Sequence, residues 1–305
     1  MDKMGDLKGE ISELKKQRSA VILAHNYQRP EVQDIADFVG DSLGLSRQAS
    51  RTDAKVIVFC GVDFMAETAV IINPKKTVLL PAEWVLCPMA LLMRLEDLLS
   101  AQKKNPSADT VLYINTHADV KAHADCICTS ANAAKVVNAM KSDTVIFGPD
   151  RNLAYYVQKR SKKKIVVVPD RGLCPTHHMI QMQDVENARS LHPEAELVVH
   201  PEVIPAIQDI ADSIASTEGM IAYCRGSKSR EFILGTEVGI IHRMKKEMPD
   251  KEFYPACDMA VCNTMKMITL AHVRDALKDL KHKVVVPKET ADKARKGIER
   301  MLAIK

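Results

Sequence analysis

Three cysteines, Cys87, Cys174 and Cys262, stand 87 and 88 residues apart. Each follows a proline closely: Pro81, Pro169 and Pro255. One thiol per copy of a threefold repeat predicts three thiolates converging on one point. That is a metal or iron–sulfur site built by the fold, not by a local CxxC loop. The pairs Cys87-Pro88 and Cys174-Pro175 agree, because proline after a cluster cysteine recurs in iron–sulfur proteins. The remaining cysteines sort by register. Cys60 aligns with Phe147 and Leu234 and reads as core. Cys126 and Cys128 alternate along one strand and read as strand packing, with a role at the site mouth left open for Cys128. Cys224 and Cys257 have no counterpart, and Cys257 is the nearest competitor for the third ligand. Cys174-x2-His177-His178 is half a zinc pattern without a second half.

The elements that must position these thiols recur three times. An apolar run ends at His25, Asn115 or His200. A helical stretch follows, then Ala-Asp and a short strand: Ala36-Asp37, Ala124-Asp125 and Ala211-Asp212. A third strand closes on Gly61, Gly148 or Gly235, with an acid two residues on: Asp63, Asp150 or Glu237. A helix and a fourth strand lead to the proline and the cysteine. Apolar runs alternating with helical patterns predict parallel, fully covered strands. The fold class is α/β: three pseudo-symmetric repeats, each a small four-stranded parallel sheet in an αβα sandwich, around a central cavity. Ligands in such sheets bind beyond the carboxyl ends of the strands, where the polar residues lie. The expected domains are 1–84 plus 269–305, 85–171, and 172–268. The tail from Thr269 to Lys305 reads as a helix, the strand Lys283–Val286 and a final helix, packed back on the first copy.

Composition narrows the function. Formal net charge is +4 with acids and bases interspersed, too mild for nucleic acid. Lys103-Lys104 and Lys162–Lys164 read as solvated surface, as do His192, His272 and His282. Met1 to Gln17 is charged and helical and so no signal peptide. No apolar run approaches the roughly 20 residues that span a bilayer. A cytoplasmic protein that uses its thiols for metal or catalysis is expected. GxGxxG, GxxxxGK[ST] and HExxH are all absent.

Longer motifs carry a resemblance. Ala24-His25-Asn26-Tyr27-Gln28, Gln33 to Ser42, Gly61 to Glu67, Cys87-Pro88-Met89-Ala90, Thr129-Ser130-Ala131-Asn132, Phe147 to Leu153, His200-Pro201-Glu202 and Met259-Ala260-Val261-Cys262 closely resemble the quinolinate synthase family of de novo NAD biosynthesis. The likeness covers essentially the whole chain. It implies three α/β domains around one [4Fe–4S] cluster held by Cys87, Cys174 and Cys262, with one iron open as a Lewis acid. It implies a transferase-type dehydrating condensation of iminoaspartate with dihydroxyacetone phosphate, giving quinolinate, phosphate and water, with iminoaspartate channelled from an aspartate oxidase or dehydrogenase. Tyr27, Glu202 and His25 match catalytic positions. His25, Ser42, Tyr113, Asn115, Ser130, His177, His200, Glu202, Ser216 and Thr217 match substrate-binding ones. Hydroxyls, an amide and imidazoles suit two carboxylates and a phosphate. The chain departs from the family pattern at Thr116-His117, at Glu83-Trp84-Val85-Leu86 and at Glu218-Gly219, where Glu218 adds negative charge beside a site for anions. Two other three-cysteine enzymes, the diphthamide-synthesis protein and the terminal isoprenoid reductase, share the plan but not these motifs. An iron–sulfur carrier would want four protein ligands.

Overall fold

The computed structural model describes residues 3–304; Met1, Asp2 and Lys305, at the ends of the predicted terminal segments, lie outside them. Among the described residues, twelve strands form three separate sheets. The first holds β1 (Ala20–His25), β2 (Phe38–Gly40), β3 (Val56–Cys60) and β4 (Thr77–Leu79). The second holds β5 (Asp109–Tyr113), β6 (Cys126–Cys128), β7 (Thr144–Gly148) and β8 (Lys164–Val167). The third holds β9 (Glu196–Val199), β10 (Ser213–Ile214), β11 (Glu231–Gly235) and β12 (Glu252–Pro255). All pairings within them are parallel, in the orders β2-β1-β3-β4, β6-β5-β7-β8 and β10-β9-β11-β12. The registers correspond: Ala24 pairs with Cys60, Val111 with Phe147, and Val198 with Leu234. The predicted fold class is therefore present as three parallel α/β units. No helix among the described residues is long and apolar enough to cross a membrane.

The strands are runs of Val, Ile, Leu and Phe, and nearly every residue of β3, β7 and β11 is buried, as a sheet covered on both faces requires. The third sheet shows its two faces plainly. Val198, Phe232 and Leu234 join the large core shared with the other units, while Leu197, Val199 and Ile233 belong to a separate cluster with Ile180, Val185 and Ile207.

Two polar brackets repeat with the strands. The aspartate of each Ala-Asp pair reaches back to the first strand and accepts a backbone N–H: Ile22 to Asp37 at 2.8 Å, Thr110 to Asp125 at 2.7 Å and Leu197 to Asp212 at 2.7 Å. A lysine before each fourth strand donates to carbonyls at or just past the end of the helix that precedes the third strand. Lys76 reaches Thr52, Lys163 reaches Met140 (2.8 Å) and Ser142 (2.7 Å), and Lys251 reaches Cys224 and Ser227 (2.8 Å). The run Lys162–Lys164 is thus not all solvated surface. Lys162 and Lys164 are exposed, but Lys163 is half-buried and committed to backbone.

The units lock into one another head to tail. Gln33 Nε2 donates to its own loop at Asn26 and Gln28 and across to Gly239 of the third unit, at 3.1, 2.9 and 2.9 Å. Gln208 Nε2 donates to Pro201 and Val203 and across to Asn152 of the second unit, at 2.9, 2.9 and 3.0 Å. The third connection is a buried lysine: Lys121 Nζ donates to Thr116 and across to Phe64 of the first unit, the latter at 3.4 Å. Burial pushes its pKa down to about 8, against the pull of Glu67 and Asp63.

The tail differs from expectation in two ways. Lys283–Val286 is not a strand: Lys283 makes one antiparallel bridge to Leu79, and Val284 N–H reaches Val78 O at 2.9 Å. Val285 is 76% exposed, so no second face needs covering and the pairing stops. The helix Leu270–Asp279 does pack on the first unit, where Arg18 caps its Leu277 and Lys278 carbonyls at 3.1 and 2.6 Å. The last helix, Lys288–Ala303, instead bridges two units. It lies on β6 and the helix Ala118–Lys121, and also on the helix Asp63–Ile72.

Candidate active site

All three repeat cysteines line one pocket, walled by residues of all three units at the carboxyl ends of their strands. None is in a disulfide. Burial pushes the thiols of Cys87 and Cys174 up, helped at Cys87 by Asp63 and then Cys262, and at Cys174 by Glu202 and then Cys87 and Cys262. Thiolates held together out of water need a cationic partner, and three soft sulfur donors without a fourth thiol on the wall fit an iron–sulfur centre with one position free of protein. Cys257 is not among the lining residues and sits by the separate cluster of the third unit. Cys126 and Cys128 are fully buried in β6 and do not line the pocket.

Beside the thiols runs a line of acid–base groups. Glu202 Oε2 lies 2.7 Å from His177 Nδ1, and Glu202 Oε1 accepts the Tyr113 hydroxyl at 2.6 Å. His177 Nε2 lies 2.9 Å from Thr236 Oγ1 and 3.3 Å from Tyr27 Oη, while Tyr27 and Thr236 share a bond of 2.6 Å. With its Nδ1 proton given to the carboxylate, His177 presents a basic Nε2 to the two hydroxyls, the carboxylate–imidazole–hydroxyl logic of general base catalysis. His177 Nδ1 is also 3.2 Å from Cys174 Sγ, and Cys174, His177 and Glu202 together form a possible ligand set for a single metal ion.

The electrostatics separate the roles. Burial opposes ionisation of Glu202, but facing His177 and His200 and the Tyr113 hydroxyl outweigh it, so the carboxylate stays charged. Burial drives His25 and His200 down to about 3, leaving both neutral. Their tautomers follow from backbone donors. Tyr27 N–H points at His25 Nδ1 (3.2 Å) and Glu202 N–H at His200 Nδ1 (3.4 Å). His200 Nε2–H is then the donor to Ser130 Oγ at 3.1 Å. Tyr27 and Tyr113 are held protonated, chiefly by burial and then by Glu202. Asn115 Oδ1 has no partner among the described residues although it is shielded from solvent. A buried acceptor left open in a pocket wall is a place for a ligand's donor.

His25, Tyr27, Ser42, Tyr113, Asn115, Ser130, His177, His200, Glu202 and Thr217 all line the pocket; Ser216 does not. Ser216 caps the helix Thr217–Gly226, accepting from Gly219 N–H at 3.3 Å, and donates to Asp41 Oδ2 at 3.1 Å, tying the third unit to the first. The charge of Glu218 is not loose beside the pocket. Arg243 pairs with it, and Arg243 Nη1 also donates to Asn26 Oδ1 at 2.8 Å. His117 is 2.7 Å from Asp63, at the seam between the first two units. Thr236 was missed from sequence. The signal was there: at the positions after the three glycines stand Val62, Pro149 and Thr236, only one of them a hydroxyl.

Three parallel α/β units, each bringing one thiol to a shared pocket with a carboxylate–imidazole–hydroxyl line, define a class: pseudo-threefold thiol-centre proteins equipped for acid–base chemistry. Residues 9–303 match the family model described as quinolinate synthetase A protein. The quinolinate synthase of Pyrococcus horikoshii is 55% identical over 297 residues, covering 97% of this chain and 98% of that one. That of Methanoregula boonei is 52% identical over 304 residues, covering 100% of both. Quinolinate synthase 1 of Methanosarcina acetivorans is 51% identical over 300 residues, covering 98% of each. The chain belongs to the quinolinate synthetase A family.

Proposed function

We propose that the chain condenses iminoaspartate with dihydroxyacetone phosphate to quinolinate, releasing phosphate and two molecules of water, around a [4Fe–4S] cluster held by Cys87, Cys174 and Cys262. The observation that carries this reading is the shared pocket: three thiols and the Glu202–His177–Tyr27 line face the same space. When bound, the cluster supplies a Lewis-acidic iron. The rest falls to side chains. Tyr27, protonated and within reach of His177 Nε2, gives and takes protons as the triose enolises and as water leaves. Glu202 holds His177 in the tautomer that makes Nε2 basic. Neutral His25, with Ser42, Ser130, Asn115 and Thr217, offers donors to carboxylate and phosphate oxygens, while His200 holds Ser130 and Tyr113 holds Glu202 in place. Ser216 acts on the pocket through Asp41. The same reading places the chain in the cytoplasm, in three domains bounded near 84, 171 and 268, with iminoaspartate supplied by an aspartate oxidase or dehydrogenase. Anaerobic incubation of the reconstituted chain with both substrates should yield quinolinate. A chain with a full cluster that consumes neither substrate would overturn the reading.

A further inference from the structure

The acid after each third strand meets the cysteine of its own sequence repeat. Asp63 Oδ1 accepts the backbone N–H of Cys87 at 3.0 Å, Asp150 Oδ2 that of Cys174 at 3.0 Å, and Glu237 Oε1 that of Cys262 at 3.1 Å. A second bond repeats beside each. A backbone N–H at or next to the acid donates to the carbonyl two residues before the cysteine: Asp63 to Val85 (3.0 Å), Arg151 to Gly172 (2.9 Å) and Val238 to Ala260 (3.1 Å). Each thiol-bearing loop is therefore gripped at two points by the residues that open the helix after the third strand of the same repeat. The carboxylates are partly or wholly buried, and Asp150 and Glu237 are entirely so.

We propose that Asp63, Asp150 and Glu237 are positioning residues for the three thiols: each takes the peptide N–H of one cysteine and so fixes the direction in which its sulfur enters the pocket. The inference rests on the cluster reading above. The grip also reports how the units are seated. The second oxygen of Asp63 meets His117 of the second unit. Glu237 meets Lys266, whose ammonium also donates to Tyr27 O in the first unit. Next to Asp150, Asn152 donates to Glu202 O of the third unit at 2.9 Å. Misseating any interface thus moves a thiol.

The oxygens differ in a way that makes the proposal testable. Both oxygens of Asp150 accept backbone N–H groups, the second from Leu153 at 2.7 Å. Glu237 Oε2 likewise accepts from Gly239 at 2.7 Å. An amide at either place sets an NH2 against an N–H donor. At Asp63 the second oxygen faces only a His117 ring nitrogen, which an amide can donate to.

The experiment is anaerobic reconstitution of the full chain with iron and sulfide, then the rate of iron release to a chelator, with thermal melting of each metal-free variant as the folding control. Asp63→Ala, Asp150→Asn and Glu237→Gln should release iron about tenfold faster than the parent, the scale of one lost charge-assisted hydrogen bond. Asp63→Asn should release it at the parent's rate. If the Asp150 or Glu237 variants fail to fold, the Asp63 pair decides alone. A parent chain that takes up no iron would overturn the cluster reading itself. A parent that does, with Asp63→Ala and Asp63→Asn releasing iron alike, would overturn this proposal only.

Discussion

Glu202 is the side chain on which the pocket's protons converge, with His177 on one oxygen and Tyr113 on the other. Replacing it by glutamine keeps the shape and removes the charge that sets the His177 tautomer. Glu202→Gln and Tyr27→Phe should each lower turnover at least about a hundredfold, the usual worth of an acid–base group, with cluster absorbance intact; near-parental turnover would remove them from proton transfer. Thr236→Val should slow turnover and leave cluster content unchanged, because Thr236 bonds both Tyr27 and His177. The buried histidines predict an acid limit. His25 and His200 titrate near 3 when folded and near 6.5 when unfolded, so below about pH 6.5 the unfolded chain binds the extra protons. Their contribution is complete above that pH and is lost as pH falls towards 3. Each adds a slope of up to about 1.4 kcal/mol per pH unit. Urea unfolding of the metal-free chain between about pH 7 and about pH 5 should show stability falling with pH, and His25→Asn/His200→Asn should flatten the curve. A parent curve already flat would refute the neutral assignment.

At the scale of elements, the repeat was legible because strands, glycines, acids and cysteines keep one register, which hydrophobic period alone exposes. What the acids and lysines touch was not legible, because a charged residue on a loop looks the same in sequence whether it meets water or a backbone carbonyl. Lys163 is the clear case. Lys163→Met should cost about 1–2 kcal/mol for its two carbonyl bonds, whereas Lys162→Met and Lys164→Met, both exposed, should stay within about 0.5 kcal/mol. Equal effects at all three would mean the bracket contributes nothing. The false strand at Lys283–Val286 has the opposite cause. Three valines read as a strand, but a tail lying on an edge with one side in water has nothing to bury on the other.

At the scale of the molecule, the cysteines and most of the pocket wall could be placed from sequence because they fall at strand ends, which the fold brings together. The seams could not: two glutamines and a lysine do one job, and the lysine sits at a shifted position on a shorter helix. Serine at Cys87, Cys174 or Cys262 should each abolish cluster absorbance. Serine at Cys60, Cys126, Cys128, Cys224 or Cys257 should spare it, since none of these lines the pocket. Loss of the cluster in Cys257→Ser with retention in Cys262→Ser would reassign the third ligand. The head-to-tail seams have one more consequence. A closed ring of three separate, identical chains would have to repeat every residue about its axis, and its interior would be the same from three directions. Fusion into one polypeptide lifts that constraint. The brackets stay Asp, Asp, Asp and Lys, Lys, Lys, while the strand ends diverge to His25, Asn115 and His200. The frame keeps the economy of a trimer, and its interior gains a left and a right, so two unlike small molecules can be told apart by where they lie.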